Sequence, residues 1–338
     1  MNKKIIFVLV FLVFIIAIAS VIFLYIGNPP EETPFYGTIY IRNDGNVDPS
    51  SVPLQHVGNI YTFTDDIFGE IVVERDSIII DGNGFQLQGS GTGIGLDLRV
   101  SNVTVRDTNV QNYLEGIIAG ANNTISENTI TNNSYGIYGV GDDCIISGNR
   151  IAKNGYGITT SGAKHNIISG KTITNNEYGF FGTINYMTIS GNNITSNKFY
   201  GLFLTYSTYN NISGNTITHN RKTITEDAPL ARALYFVNSR DNNIFENNIA
   251  DNDRGIDFFF DTTPSSNNTI YLNNFVNNDV QVLIGNVSVN VWDNGVKGNY
   301  WNDYNGTDNN GDGIGDTPYA IDANNQDRYP LTNPYSIP

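Results

Sequence analysis

The chain has 338 residues, 40% hydrophobic and 15% charged, which is enough apolar material for a folded body and too little charge for a disordered polyelectrolyte. Its formal charge is -15, with a neutral middle and an acidic end, since residues 301–338 hold six Asp and one base, Arg328. That balance excludes the basic footprint a phosphate backbone demands, so no nucleic-acid partner is expected, and the single cysteine, Cys144, excludes an intramolecular disulfide.

At the N-terminus, Met1-Asn2-Lys3-Lys4 precedes an uncharged apolar run over residues 5–26, long enough as a helix to cross a hydrocarbon core of about 30 Å. The expected arrangement is a cytoplasmic stub at 1–4, an uncleaved transmembrane anchor at 5–27 and a Pro- and Glu-containing linker at 28–36. Lys3 and Lys4 orient the anchor so that everything after it is extracellular. A signal cleaved at Ala17-Ile18-Ala19 is the competing reading, and it would leave an apolar stub at 21–26. Eight Asn-x-Ser/Thr triplets, the first at Asn102 and the last at Asn305, permit glycosylation, although 18 Asn within residues 121–220 generate such triplets by composition alone.

Residues 37–100 are irregular but strand-rich and are expected to form N-terminal coils and a cap. From 101 to 291 a repeat takes over. Three apolar positions recur at offsets of five and then seven residues: Val105/Val110/Ile117, Ile125/Ile130/Ile137, Ile146/Ile151/Ile158, Ile168/Ile173/Phe180, Ile244/Ile249/Ile256 and Ile270/Phe275/Val282. Ile189/Ile194/Leu202 slips by one residue, and Ile212/Ile217 is completed only at Leu234, after an insertion. Asn128, Asn149, Asn192, Asn215, Asn247 and Asn273 stand two residues before the second apolar position, with Thr108 and Lys171 as exceptions, and a Gly usually precedes the third.

Short β-branched runs broken by Asn and Gly suit brief strands joined by bends that use left-handed backbone conformations. One coil cannot bury its own apolar face, but coils stacked at about 4.8 Å pair every strand and line a shaft with Ile. The fold class is therefore all-β, a right-handed parallel β-helix of eight recognisable coils, with an Asn amide ladder at one register. Open sheet ends need caps, and residues 292–338, where the period is lost, are expected to supply the C-terminal one.

The stretches GTIYIRNDGNVDP (37–49), IVVERDSIIIDGNGFQLQG (71–89) and GNYWNDYNGTDNNGDGIGDTPYAID (298–322), with the Asn/Gly coils between them, resemble archaeal surface proteins of the NosD-like family of β-helix repeat proteins. The resemblance implies a β-helix of the type found in carbohydrate-binding proteins and sugar hydrolases. The family's namesake is linked to copper delivery, but copper wants soft or imidazole ligands. Beyond the linker the chain offers only His56, His165, His219, Met187 and Cys144, without ligand-like spacing, so copper is not expected.

Two surfaces carry candidate chemistry. In the C-terminal region, side-chain oxygens of Asp308, Asn310, Asp312 and Asp316, the carbonyl of Ile314 and the turn-forming Gly313 reproduce the first part of a calcium loop, so a structural Ca²⁺ is one expectation. Tyr319 stands where such loops place a bidentate acid, and a self-bonded Asx-rich turn is the alternative. On the coils, strand alternation predicts one outward row of Tyr138, Thr159, Phe181, Phe203, Tyr235 and Asp257, an aromatic surface for glycan, unless the insertion near Arg221–Arg232 folds over it. By the same parity the column Tyr135/Tyr156/Tyr178/Tyr200 is expected to point inward as packing.

Catalysis finds less support. Gly141-Asp142-Asp143-Cys144 resembles the paired-aspartate motif of polygalacturonases, with His165 about one coil later, but the rest of that set is missing. Asp253, Arg254 and Asp257 form the remaining candidate cluster for a lyase. The expected function is thus a surface-anchored glycan-binding or envelope structural protein, with a polysaccharide lyase or hydrolase, and then a copper-related maturation factor, as alternatives.

Overall fold

The computed structural model describes residues 36–222, 230–259, 261–285 and 287–337. The apolar run at 5–26 lies outside these residues, as does the centre of the insertion at 223–229. Among the described residues no helix is long and apolar enough to cross a membrane.

Most turns contribute three short strands, and these pair in parallel with their counterparts one turn on. The result is a parallel β-helix with an 11-stranded sheet on one face and a 22-stranded sheet wrapping the other two. Ile130, Ile151 and Ile173 stack in register through the strands Thr129–Thr131, Arg150–Ala152 and Thr172–Thr174, all at 0–1% exposure. The file continues through Ile194, Ile217, Ile249 and Phe275 to Trp301. Leu234 does take the place of the third apolar residue after the insertion, pairing with Leu202. Burying an Ile this fully stabilises by roughly 1.5–3 kcal/mol, and the column forms because side chains of period two keep one face inward at every turn.

Residues 36–100 stack in the same way without the repeat. Tyr36–Ile41 pairs in parallel with Ile67–Val73, and Leu54–Val57 folds back antiparallel on Ile60–Phe63. The eight coils legible in the sequence therefore continue at the N-terminal end, where turn lengths vary and the apolar offsets with them.

Three amide ladders, rather than one, bind the turns together. The register seen in sequence runs Asn192, Asn215, Asn247, Asn273, Asn299, each side-chain oxygen accepting the backbone N–H of the preceding member at 3.0–3.1 Å. A second ladder is Asn133, Asn154, Asn176, Asn197, Asn220, Asn252, Asn278. The third, Asn210, Asn242, Asn268, Asn290, Asn325, has Cys144 and Met187 in its earlier turns. Each Asn satisfies buried backbone groups at a bend, where the strand ladder cannot reach them. Lys171 breaks the first ladder. It is 2% exposed, its Nζ has no partner, and burial holds its pKa well below the usual lysine range.

The bends themselves use left-handed backbone at one residue per corner, Asn122, Asp143 and His165 among them. The glycine row before the third apolar position has a different cause. A Cβ at Gly157 would lie 2.4 Å from the carbonyl oxygen of Gly179 on the next turn, and one at Gly179 would lie 2.5 Å from that of Gly201. Only glycine lets successive backbones approach there.

The C-terminal segment closes the shaft. Trp301 stacks between Phe275 and Tyr319, at 4.2 and 4.3 Å between ring centroids, and Trp292 is buried beside it. Asp327 ends the first ladder, its Oδ2 accepting Asn299 N–H at 2.6 Å and Trp301 Nε1–H at 2.9 Å while Oδ1 accepts Tyr329 N–H. Complete burial pushes this carboxyl up to about 6 against the pull of those donors.

Candidate ligand-binding trough

Alternation breaks at the glycine row, and that break builds the site. The register pairs Glu115 with Tyr135 and Ile117 with Ile137 but passes over the glycine between them, so the regular pairing of the strand is interrupted there. Residues on either side of that glycine no longer follow one parity. Tyr135, Tyr156, Tyr178 and Tyr200 are consequently half-exposed on the outside, which corrects the inward packing role expected for them.

Their rings form a continuous stack along the shaft. Tyr135 lies 5.0 Å from Tyr156 at 12°, Tyr156 lies 4.5 Å from Tyr178 at 6°, and Tyr178 lies 5.5 Å from Tyr200 at 37°. Neighbouring faces cover one another, so the column presents ring edges and hydroxyls rather than open faces. Burial raises the pKa of both Tyr156 and Tyr178, with the adjacent tyrosine as a further cause.

The column forms a ridge between two depressions. On one side a polar groove of about 890 Å³ is lined by Asn132, Ser134, Lys153, Asn175, Glu177 and Ser196. On the other an apolar cleft of about 310 Å³ is bounded by Tyr138, Thr159 and Phe181, with Tyr135 and Tyr156 common to both. Through Tyr113 the polar groove joins a third depression of about 470 Å³ containing Glu70, Gln88 and Thr92. The polar groove and the third depression together make a trough along the shaft, from the turn of Gly37 to that of Ser196, with the apolar cleft across the tyrosine ridge. Eight turns at about 4.8 Å per step give it a length of about 34 Å.

The row expected to face outward is in register. Phe181, Phe203, Tyr235 and Asp257 follow one another, with Thr159 before Phe181. Tyr138 is exposed, the next three aromatics are half-exposed, and Phe203 packs between Phe181 and Tyr235 at 4.8 and 4.9 Å. Thr159 and Asp257 are buried. The Asp257 carboxylate accepts Arg232 Nε–H at 2.6 Å and Arg254 Nη1–H at 2.7 Å, and Arg232 also lies over the Tyr235 ring at 4.5 Å. Asp253, the other carboxylate of that cluster, accepts the backbone N–H groups of Lys222 and Ala231. Both acids are thus committed to holding the chain.

The remaining candidates fall elsewhere. Asp142 and Asp143 sit in a bend between strands, where Asp142 accepts Lys164 N–H at 2.9 Å and Asp143 lies 3.5 Å from His165 Nδ1, all on an exposed corner away from the trough. In the loop at 308–316, Asp308 accepts the N–H groups of Gly311, Asp312 and Gly313, Asn310 accepts Asp312 N–H, and Asp312 accepts Ile314 N–H. Asp316 accepts from Asn309 at 2.9 Å. These are the bonds of the self-closed turn. Among the described residues no three His, Cys, Asp or Glu side chains come together as a metal-holding group.

With the geometry in place, comparison with known proteins identifies the lineage. The family model described as periplasmic copper-binding protein (NosD) matches residues 68–228 and 223–306. The chain belongs to the NosD family. Curated relatives, each named probable ABC transporter binding protein NosD, are 34% identical over 129 residues in Pseudomonas aeruginosa and 32% over 130 residues in Stutzerimonas stutzeri. Those alignments cover 37% of this chain and 29% of either relative. Solved structures that align with it include the bacteriophage CBA120 tailspike protein 2 (TM-score 0.44, 13% identity, 68% of this chain and 38% of that one). The Azotobacter vinelandii mannuronan C-5 epimerase AlgE6 A-module follows (TM-score 0.40, 16%, 68% and 64%), as does pectate lyase Pel9A (0.39, 16%, 70% and 61%).

The family's copper does not fit the donors found here. Cys144 is buried, donates from Sγ to the Gly120 carbonyl at 3.0 Å, and has its thiol pKa raised by burial. Met187 is likewise inside the shaft. His165 and His219 lie on different corners beside Asp143 and Asp251, and His56 stacks on Tyr61 near the N-terminal end. Among the described residues no cluster of imidazole and sulfur ligands forms that would hold copper.

Proposed function

We propose that this NosD-family chain is an exported, membrane-tethered β-helix that binds a linear glycan along the trough. The carrying observation is the trough itself: eight turns long, parallel to the shaft, polar along its floor and bordered by the tyrosine ridge with an apolar cleft beyond it. Carbohydrate has that dual character, with apolar C–H edges beside hydroxyls, and Tyr is suited to both because it joins a ring to a hydrogen-bonding tip. The uncharged run at 5–26 is the proposed tether, and the terminal motifs at 37–49 and 298–322 support a setting on an archaeal surface.

Binding is favoured over cleavage by carboxylate placement. Glu70 and Glu177 face the trough five turns apart, about 24 Å at 4.8 Å per turn, whereas acid and base on one glycosidic bond stand about 6.5–9.5 Å apart in inverting enzymes and closer in retaining ones. The Ca²⁺ reading of the 308–316 loop rests on the order of its oxygen-bearing residues.

The test uses the full chain in detergent micelles over immobilised envelope polysaccharide. Retention is expected, and Tyr156→Ala is expected to weaken it about tenfold, the loss of one stacked ring and its hydroxyl. Retention unchanged in Tyr156→Ala and in Lys153→Ala would remove the trough as the site, and release of new reducing or unsaturated ends would replace binding with catalysis.

A further inference from the structure

The outward row beside the tyrosine ridge is one ring short. Phe181, Phe203 and Tyr235 follow one another turn by turn, with ring centroids 4.8 and 4.9 Å apart. Tyr138 begins the same row two turns before Phe181, because Ile137 pairs with Ile158 and the residue after Ile158, Thr159, pairs with Phe181. Thr159 stands where a ring would continue the series, and Tyr138 has a ring contact only with Tyr135. Two turns at about 4.8 Å leave about 9.6 Å between the rungs of Tyr138 and Phe181.

That missing rung is the apolar cleft of about 310 Å³. Tyr138 lies at 63° to Tyr135 and Phe181 at 79° to Tyr156, so both rings stand across the planes of the ridge tyrosines that close the cleft's side. Thr159 lies beneath at 7% exposure, its hydroxyl sealed and out of a ligand's reach. The polar groups a ligand can touch are the hydroxyls of Tyr138 and Ser161, both exposed residues whose hydroxyls have no hydrogen-bond partner among the described residues. No charged side chain lines the cleft, whereas Lys153 and Glu177 line the groove across the ridge. Its volume is at the small end for ligand pockets, which suits one ring-sized group and not a polymer.

We infer that the cleft is a subsite for one neutral sugar, carried as a side branch by the glycan in the trough. This rests on the trough reading and adds a ligand class, a branched glycan. A pyranose brings an apolar C–H face to the vacant rung and hydroxyls to Tyr138 and Ser161 at its mouth. A charged sugar would give up hydration among neutral walls and gain no partner. Tyr135 and Tyr156 separate the cleft from the polar groove, so a main chain lying in the groove reaches the cleft by a branch across the crest.

The experiment is ligand-observed NMR of the full chain in a detergent without a sugar headgroup. The probes are the methyl glycosides of glucose, galactose and mannose, with methyl glucuronide and methyl glucosaminide as charged counterparts. Saturation transfer is expected to at least one neutral glycoside, at millimolar affinity, and less to either charged one. Thr159→Phe supplies the missing ring and is expected to abolish the transfer, an unchanged melting temperature verifying the fold. Tyr138→Ala, at an exposed position, carries the same readout if Thr159→Phe melts lower, and is expected to weaken binding about fivefold. Asn193→Ala, on a strand outside the cleft, is expected to match the parent. On immobilised envelope polysaccharide, Thr159→Phe is expected to lower retention about fivefold, the loss of the branch contact.

Transfer to no neutral glycoside, stronger transfer to a charged one, or equal transfer in parent and both variants overturns the subsite. The trough then stands or falls separately, on retention of polysaccharide by Tyr156→Ala and Lys153→Ala. Full retention by Thr159→Phe overturns the branch. A parent that is not retained at all ends the branch together with the trough, whatever the glycosides show.

Discussion

Asn176 gives the sharpest test of what holds the turns together. Its Oδ1 accepts Asn154 N–H at 2.9 Å and Asn154 Nδ2–H at 3.1 Å, and its Nδ2 donates to the Ile151 carbonyl and to Asn197 Oδ1, both at 3.1 Å. Asn176→Ala removes all four bonds from a residue 2% exposed. Asn154 Nδ2 keeps the Ile130 carbonyl, and Asn197 Oδ1 keeps the backbone N–H of residue 176. The main casualty is Asn154 N–H, a donor stranded in the interior at about 1–3 kcal/mol. Adding about 1 kcal/mol for the lost acceptor at Ile151, the expected destabilisation is about 2–4 kcal/mol. Solenoids unfold by neighbouring repeats, so the direct readout is amide hydrogen exchange, with protection lost at Asn154 and in the turns on either side of Asn176, alongside a lower melting temperature. Asn193→Ala is the control, because Asn193 is exposed on an adjacent strand and is expected to cost less than about 0.5 kcal/mol. Equal losses from the two variants would refute the view that the buried amides, rather than asparagine content, stabilise the stack.

The C-terminal cap should respond to pH. Asp327 has its folded pKa raised to about 6 from 3.8, so the stability it contributes is full below about pH 4 and is lost as pH rises through 6. The melting temperature is therefore expected to fall between pH 4 and 6, other groups apart, and Asp327→Asn should flatten that dependence; a slope identical in variant and parent would count against it. For the loop at 308–316, Asp308→Ala strands three N–H donors and is expected to lower the melting temperature in chelator as well as in Ca²⁺, by the equivalent of about 1–2 kcal/mol for an exposed turn. If Ca²⁺ raises the parent's melting temperature and the variant differs from the parent only in its presence, the loop is a metal site and its own hydrogen bonds are secondary.

The shaft was legible in sequence because its rule is local and repeated. Ile130, Ile151 and Ile173 must face inward at every turn, and identical offsets between turns are what in-register stacking requires. The same counting would have found the second ladder, since Asn133, Asn154, Asn176 and Asn197 each follow the second apolar residue by three. The third is harder to see because Cys144 and Met187 interrupt it. Parity failed at the tyrosine column for a physical reason: alternation holds only where strand pairing is regular, and at Gly136 and Gly157 the pairing is interrupted where the carbonyl of the next turn comes close. Nothing in one turn's sequence reports that approach. The trough inherits the same difficulty, since its concavity arises between turns.

This division locates where function can be written in such a molecule. An inward position that changes character from turn to turn incurs a void or an orphan, as Lys171 does with its partnerless Nζ. Inward rows therefore stay monotonous and carry little information about ligands. An outward row is free of that constraint, and turn-to-turn variation along it is the part of the sequence that packing leaves open. The row that passes from Glu115 through four tyrosines to Arg232 and Arg254 varies in a directed way, acid at one end and guanidiniums at the other. A rigid shaft fixes the spacing of those groups at one turn per step.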